Sequence, residues 1–147
     1  MINKQDIISN NIETLLYNYN DYKTKIKSLE KRIENLKNGQ EIISINFDNE
    51  VNVQGTHIFK SDIDKRMDLI NNYTKQISKY EQIIDIIDLN LNDLEKDRYF
   101  KIIPLKYFEK KTLENIASIL EIDVSTVKRN KKRLINKLKN EILPLFL

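Results

Sequence analysis

Between Val124 and Asn140 the chain carries seven Lys or Arg residues and no Asp or Glu, on a segment whose apolar residues recur with helical spacing. With Val127 at zero on a wheel of about 100° per residue, Leu134 and Leu138 lie within about 20° of it and form a packing face. Ser125, Arg129, Lys132 and Asn136 fall at roughly 140–200°, on the opposite face, with Lys128 and Arg133 beside them. A helix that meets duplex DNA reads base edges from the N-terminal half of such a polar face, because only that part enters the major groove. Ser125, Lys128, Arg129 and Lys132 are therefore the expected base-reading residues. The Arg129 guanidinium can grip guanine O6 and N7 together, while the hydroxyl and the ammonium groups make adaptable contacts. Lys111, Thr112, Thr126 and Arg133 are expected to hold phosphates, partly through a helix N-terminus. The competing reading is an ordinary helix with a solvated lysine face. Such faces normally interleave acids, and none occurs here.

Positioning that face takes a second helix crossing close behind it. A helix-turn-helix needs a small residue where its helices cross, an apolar residue after the turn and an apolar anchor in the second helix. Ala117, Ile122 and Val127 supply these in order, and Ala117 is the only alanine in the chain. Thr112 is the expected N-cap of the first helix, with Leu113, Ile116 and Leu120 facing inward, and Asp123 that of the second, which ends before Pro144. Two positions depart from the pattern. Glu121 stands where glycine is usual, which demands a left-handed residue or a different turn. Asn130 stands where an apolar anchor is common, leaving Ile135 and Leu138 to take over the packing.

Charge is divided along the chain in the same sense. From residue 101 onward eleven Lys/Arg face five Asp/Glu, a net of +6, whereas residues 1–100 carry a net of −3. A polyanion partner is expected on the C-terminal third and not on the rest. Attachment to a membrane surface is disfavoured because the basic run lacks a Trp/Phe face.

Upstream, Ile8, Ile12, Leu15, Tyr19, Tyr22, Ile26, Leu29, Ile33 and Leu36 alternate steps of four and three, an unbroken heptad seam. A second runs through Ile70, Tyr73, Ile77, Tyr80, Ile84, Ile87, Leu91 and Leu94, with Ser61 or Asp62 as N-cap. The seams span about 43 and about 36 Å, so they match as partners in a coiled-coil-like hairpin. Off-seam Leu16, Tyr17, Ile83, Ile86 and Leu89 widen the apolar surface and predict a homodimer or higher homo-oligomer. Gly39 is the expected helix stop. In the connector 40–60, alternation at Ile43, Ile45 and Phe47 and again at Val51 and Val53 predicts a small β-hairpin. Asn92-Asp93-Leu94-Glu95 has capping-box form and predicts a new helix there, its apolar continuation (Tyr99 to Phe108) kinked or interrupted at Pro104. The expected architecture is mainly α: a helical oligomerisation region over 1–91 and a helix-turn-helix domain over 92–147.

Other function classes lose ground on composition. Two glycines and two prolines in 147 residues favour helix throughout. With no cysteine, disulfides and thiolate metal sites are excluded, as suits a cytoplasmic protein. No apolar run approaches the ~20 residues of a membrane span and the N-terminus is unlike a signal peptide, so no membrane partner is expected. No phosphate-binding loop, nucleophile elbow or His/Cys ligand spacing occurs, and the lone histidine, His57, sits in the connector. No catalytic residue, metal or cofactor is expected, and the chain is not read as an enzyme.

The stretch from Leu105 to Leu134 (LKYFEKKTLENIASILEIDVSTVKRNKKRL) resembles region four of bacterial sigma factors, the part that reads an upstream promoter element. The whole layout, a coiled part ahead of such an end, resembles phage-encoded late-gene transcription regulators of the ArpU/RinA kind. Those resemblances imply a sequence-specific DNA-binding transcription regulator that activates a late phage or prophage operon, with double-stranded DNA and RNA polymerase as partners. No segment resembles sigma region two, so a complete sigma factor is not implied. The alternative is a phage DNA-packaging or assembly protein like a small terminase subunit, although those usually carry the DNA-binding head at the other end.

Overall fold

A computed structural model describes residues 4–39 and 61–142, and the described residues are mainly helical, with one long helix. The predicted hairpin of the connector, and His57 within it, lie outside the described residues. The elements are α1 (Lys4–Tyr17), α2 (Tyr19–Lys37), α3 (Asp62–Leu94), a π turn (Pro104–Phe108), α4 (Leu113–Leu120) and α5 (Val124–Ile142). They form two compact units. The first takes the described residues up to Lys23 together with those from Glu81 onward, and the second runs from Thr24 to Tyr80. The division expected at residues 91 and 92 thus falls inside the first unit.

In the second unit α2 and α3 lie side by side and antiparallel. Lys25 caps the ring of Tyr80 and Arg32 that of Tyr73, so numbers rise along one helix as they fall along the other. Leu29 and Leu36 are buried, and Ile70, Tyr73, Ile77 and Tyr80 are half-buried, as a narrow apolar stripe predicts. Ser61 opens α3 as its N-cap: its hydroxyl accepts the Asp64 N–H and donates to the Asp64 carboxylate. Gly39, with φ +67°, ends the described part after α2 in the left-handed conformation that a helix stop uses.

In the first unit α1 packs on α5 and on the π turn, and α4 packs on the same two elements. The seam residues from Ile12 to Leu36 are all buried or half-buried, but the covered surface on α1 is wider than the seam. Asn18 separates α1 from α2, although the helical ladder crosses the break through Asn18 N–H to Thr14 O and Tyr22 N–H to Asn18 O. Leu16, off the seam, is fully buried, whereas Leu15, on it, is only half-buried. The reason is the packing of α1 on both α5 and the π turn, which covers more than one narrow stripe. The far end of α3 closes the same unit with Ile84, Ile87, Leu91 and Leu94 buried. There Tyr19 donates to Asp88 and stacks on Phe108 at 4.5 Å. Burial, with the Asp88 hydrogen bond second, raises the Tyr19 hydroxyl above its ordinary pKa and keeps it a donor.

No new helix starts at Asn92. α3 runs through it to Leu94, and the chain then leaves in successive i to i−3 turns: Asp97 N–H to Leu94 O, Phe100 to Asp97, Ile102 to Tyr99 and Ile103 to Phe100. Asp97 also accepts the Tyr99 N–H on its side chain, an Asx turn that competes with helix at this point. Pro104 has no N–H to continue the ladder; the Leu105 N–H still bonds to Lys101 O, and the turn then widens to Glu109 N–H to Pro104 O. The apolar helix expected over this stretch, kinked or interrupted at Pro104, is short: tight turns lead into it, residues 102–103 are helical, and the ladder widens to a π turn from Pro104. That arrangement buries Ile102, Ile103 and Tyr107 together.

Candidate nucleic-acid interface

Thr112 caps α4 by accepting the Asn115 N–H at 3.2 Å. At the other end Glu121 takes the left-handed conformation (φ 56°, ψ 45°), one of the two options the missing glycine left open. Its N–H bonds to Ser118 O and the Ile122 N–H to Ala117 O, the paired closure of a Schellman motif. The chain reverses in three residues, and the Asp123 carbonyl accepts from Thr126 and Val127 to begin α5. Ala117 and Val127 share one buried cluster with Ile102 and Ile116, and Ile122 packs on its edge. Ala117 lets α4 and α5 approach, Ile122 follows the turn, and Val127, with no exposed surface, anchors α5.

The left-handed Glu121 is a cost that glycine would not carry. A non-glycine residue there gives up about 1–2 kcal/mol, partly offset by the greater unfolded-state freedom of glycine. Glu121→Gly is expected to stabilise the chain by about 0.5–1 kcal/mol, raising Tm by about 1–4 °C. Thermal unfolding of the two proteins checks this.

The amphipathic division of α5 follows its sequence. Val127, Leu134, Ile135, Leu138 and Ile142 are buried, while Ser125, Lys128, Arg129, Lys132, Asn136 and Lys137 are exposed. The four expected base-reading residues thus share one solvent-facing side of one helix. Of the expected phosphate contacts, Lys111 is half-buried just before α4, and Thr112 is exposed at its start. Thr126 is half-buried on the first turn of α5, its hydroxyl accepting from Arg129 at 3.5 Å.

Arg133 departs from that grouping. Its Nη1 and Nη2 donate to the two oxygens of Asp97 at 2.7 and 2.9 Å, and its Nε donates to Asn130 Oδ1 at 3.2 Å. A bidentate carboxylate already occupies the fork that a phosphate would need. Lys131, likewise, turns to Glu13 of α1 at 3.7 Å. Sequence reasoning missed both pairings, and it missed Asp97 altogether. Asn130, in the position of a missing apolar anchor, donates to the Thr126 carbonyl at 2.9 Å.

The Arg133 fork and the Tyr99 N–H hold the Asp97 carboxyl well below the usual carboxylate range, at about 2. A lowered folded pKa contributes stability above the unfolded value near 3.8, and that stability disappears as pH falls through about 2. Because the Arg133 side chain is 45% exposed, solvent screening reduces the contribution to about 1 kcal/mol. The difference in unfolding free energy between wild type and Asp97→Asn should therefore shrink between pH 5 and pH 2, read from urea titrations across that window.

Among the described residues no cluster of three His, Cys, Asp or Glu side chains could hold a metal, and no helix is long and apolar enough to cross a membrane. What α5 offers is an exposed row of guanidinium, ammonium, hydroxyl and amide donors with no acid among them. It suits an anionic surface that presents hydrogen-bond acceptors. No family model, curated protein or solved structure matches the chain.

Proposed function

We propose that the chain binds duplex DNA in a sequence-specific way and regulates transcription, with α4, the three-residue turn and α5 acting as a helix-turn-helix. The observation that carries this reading is the exposed, acid-free side of α5 opposite a buried apolar side. In it Arg129 reads a base pair bidentately, and Ser125, Lys128 and Lys132 complete the base contacts. Lys111 and the N-terminal turns of α4 and α5, through Thr112 and Thr126, hold the backbone on either side. The resemblance to sigma region four supports a promoter as the target and RNA polymerase as a further partner. The role as activator of a late phage or prophage operon rests on that resemblance alone. Association of two copies would give two reading heads, and the exposed Ile63 and Met67, one turn apart on α3, support it.

The test is selection of duplexes from a random pool by the full chain, followed by titration of the recovered sequence at several salt concentrations. A shared sequence motif is expected. If about four phosphates are neutralised, log K should fall with log salt at a slope of about −3.6. Recovery of no motif, or binding insensitive to salt, would overturn the reading.

A further inference from the structure

We propose that Asp97 is a specificity-determining residue of the α5 face: it holds Arg133 as a backbone phosphate would, and so withholds one cation from the DNA backbone. The inference rests on the DNA-binding reading above and deepens it.

The geometry supporting it is a chain of hydrogen bonds from the turn after α3 to the first turn of α5. Asp97 is anchored by the Tyr99 N–H at 2.9 Å and grips both terminal nitrogens of Arg133. The Arg133 Nε holds Asn130, and Asn130 holds the Thr126 carbonyl. Thr126 in turn receives Arg129 on its hydroxyl. Five residues of one polar network thus end at the side chain expected to read a base. The carboxylate meets the guanidinium with the same two-pronged geometry that a phosphate uses, so the two anions are direct competitors for Arg133. Nearly half of the Arg133 side chain is solvent-accessible, so a phosphate could reach it if Asp97 let go.

The consequence for recognition follows from where affinity comes from. Contacts to phosphates strengthen binding to every sequence alike, and contacts to base edges separate one sequence from another. A cation neutralised inside the protein lowers the first without touching the second. The ratio of specific to random binding therefore rises, at some cost in total affinity. Asp97 and Asn130 together engage all three guanidinium nitrogens of Arg133.

The experiment compares the full-length wild type with Asp97→Asn, Arg133→Gln and the double variant. Each is titrated across salt concentrations on a random-sequence duplex and on the duplex that wild type selects from a random pool. Asp97→Asn releases Arg133 to the backbone, so its salt slope on random DNA should steepen by about 0.9 and its preference for the selected duplex should fall severalfold. Arg133→Gln alone should keep the wild-type slope, and the double variant should return to it. A pair that only braces the fold would change thermal stability and leave every slope alone, which would refute the proposal. A slope flattened by about 0.9 in Arg133→Gln would also refute it, because Arg133 would then be a phosphate contact in the wild type. Should Asp97→Asn lose its helical circular dichroism, Asp97→Ser, which keeps a side-chain acceptor for the Tyr99 N–H, takes its place: the same steepening is expected, and an unaltered slope refutes the proposal. If wild type binds neither duplex, the DNA-binding reading fails and the proposal falls with it. Wild-type binding with unaltered variant slopes sinks the proposal alone.

Discussion

Tyr107→Ala is expected to remove about 3–5 kcal/mol of stability, the largest effect of any single change discussed for this chain. Tyr107 is 1% exposed on the π turn, with its ring edge-on to Tyr17 at 5.0 Å. Its hydroxyl donates to Glu13 at 2.8 Å. Burial, and after it the Glu13 hydrogen bond, pushes the phenol far above its ordinary pKa, so it stays a neutral donor across the accessible range. Truncation leaves a cavity between α1 and the π turn and strips Glu13 of one partner. Against a typical total of about 5–15 kcal/mol, that loss is a large fraction of the whole. Tyr107→Phe should cost far less, about 1–2 kcal/mol, because the ring packing stays and Lys131 remains near Glu13. Urea denaturation followed by circular dichroism measures both. A Tyr107→Ala loss below about 1 kcal/mol would contradict the packing of α1 on the π turn.

Arg129→Ala is expected to cost about 1–3 kcal/mol of discrimination between the selected duplex and one altered at the base pair Arg129 contacts, or about 5- to 150-fold. The side chain is exposed and its local bond to Thr126 is long, so the folded state should lose little. Lys111→Ala should instead weaken the selected and the random duplex alike. Competition titrations with both duplexes separate the two patterns. If Arg129→Ala weakens both equally, Arg129 is a backbone contact and the reading side of α5 is rotated from the one assigned here.

What could be read from the sequence was local. The Thr112 and Ser61 caps, the placing of Ala117, Ile122 and Val127 and the polar side of α5 all depend on residues within a few turns of one another. Periodicity and capping chemistry reach that far. The rest depends on contacts between distant residues. Arg133 and Asp97 are 36 apart and Tyr107 and Glu13 are 94 apart, and a run of like charges does not say which cation is already matched. The apolar rhythm from Ile8 to Leu36 reads as one seam because periodicity records that a stripe must be buried, not against what. The structure divides that rhythm between two compact units. The turns after Leu94 escaped for a related reason. Asn92-Asp93-Leu94-Glu95 fits a helix start as well as a helix end, and the Asp97 side chain that holds the turn after Leu94 reaches a distant partner, Arg133.

In the proposed complex the exposed side of α5 lies against duplex DNA. Amide and side-chain chemical-shift mapping of the full chain with its selected duplex tests this most directly. The largest changes are expected at Ser125, Lys128, Arg129 and Lys132, with smaller ones at Lys111, Thr112 and Thr126, and little change between Thr24 and Tyr80. Changes confined to Thr24–Tyr80, or a saturating complex that leaves α5 unperturbed, would contradict that interface.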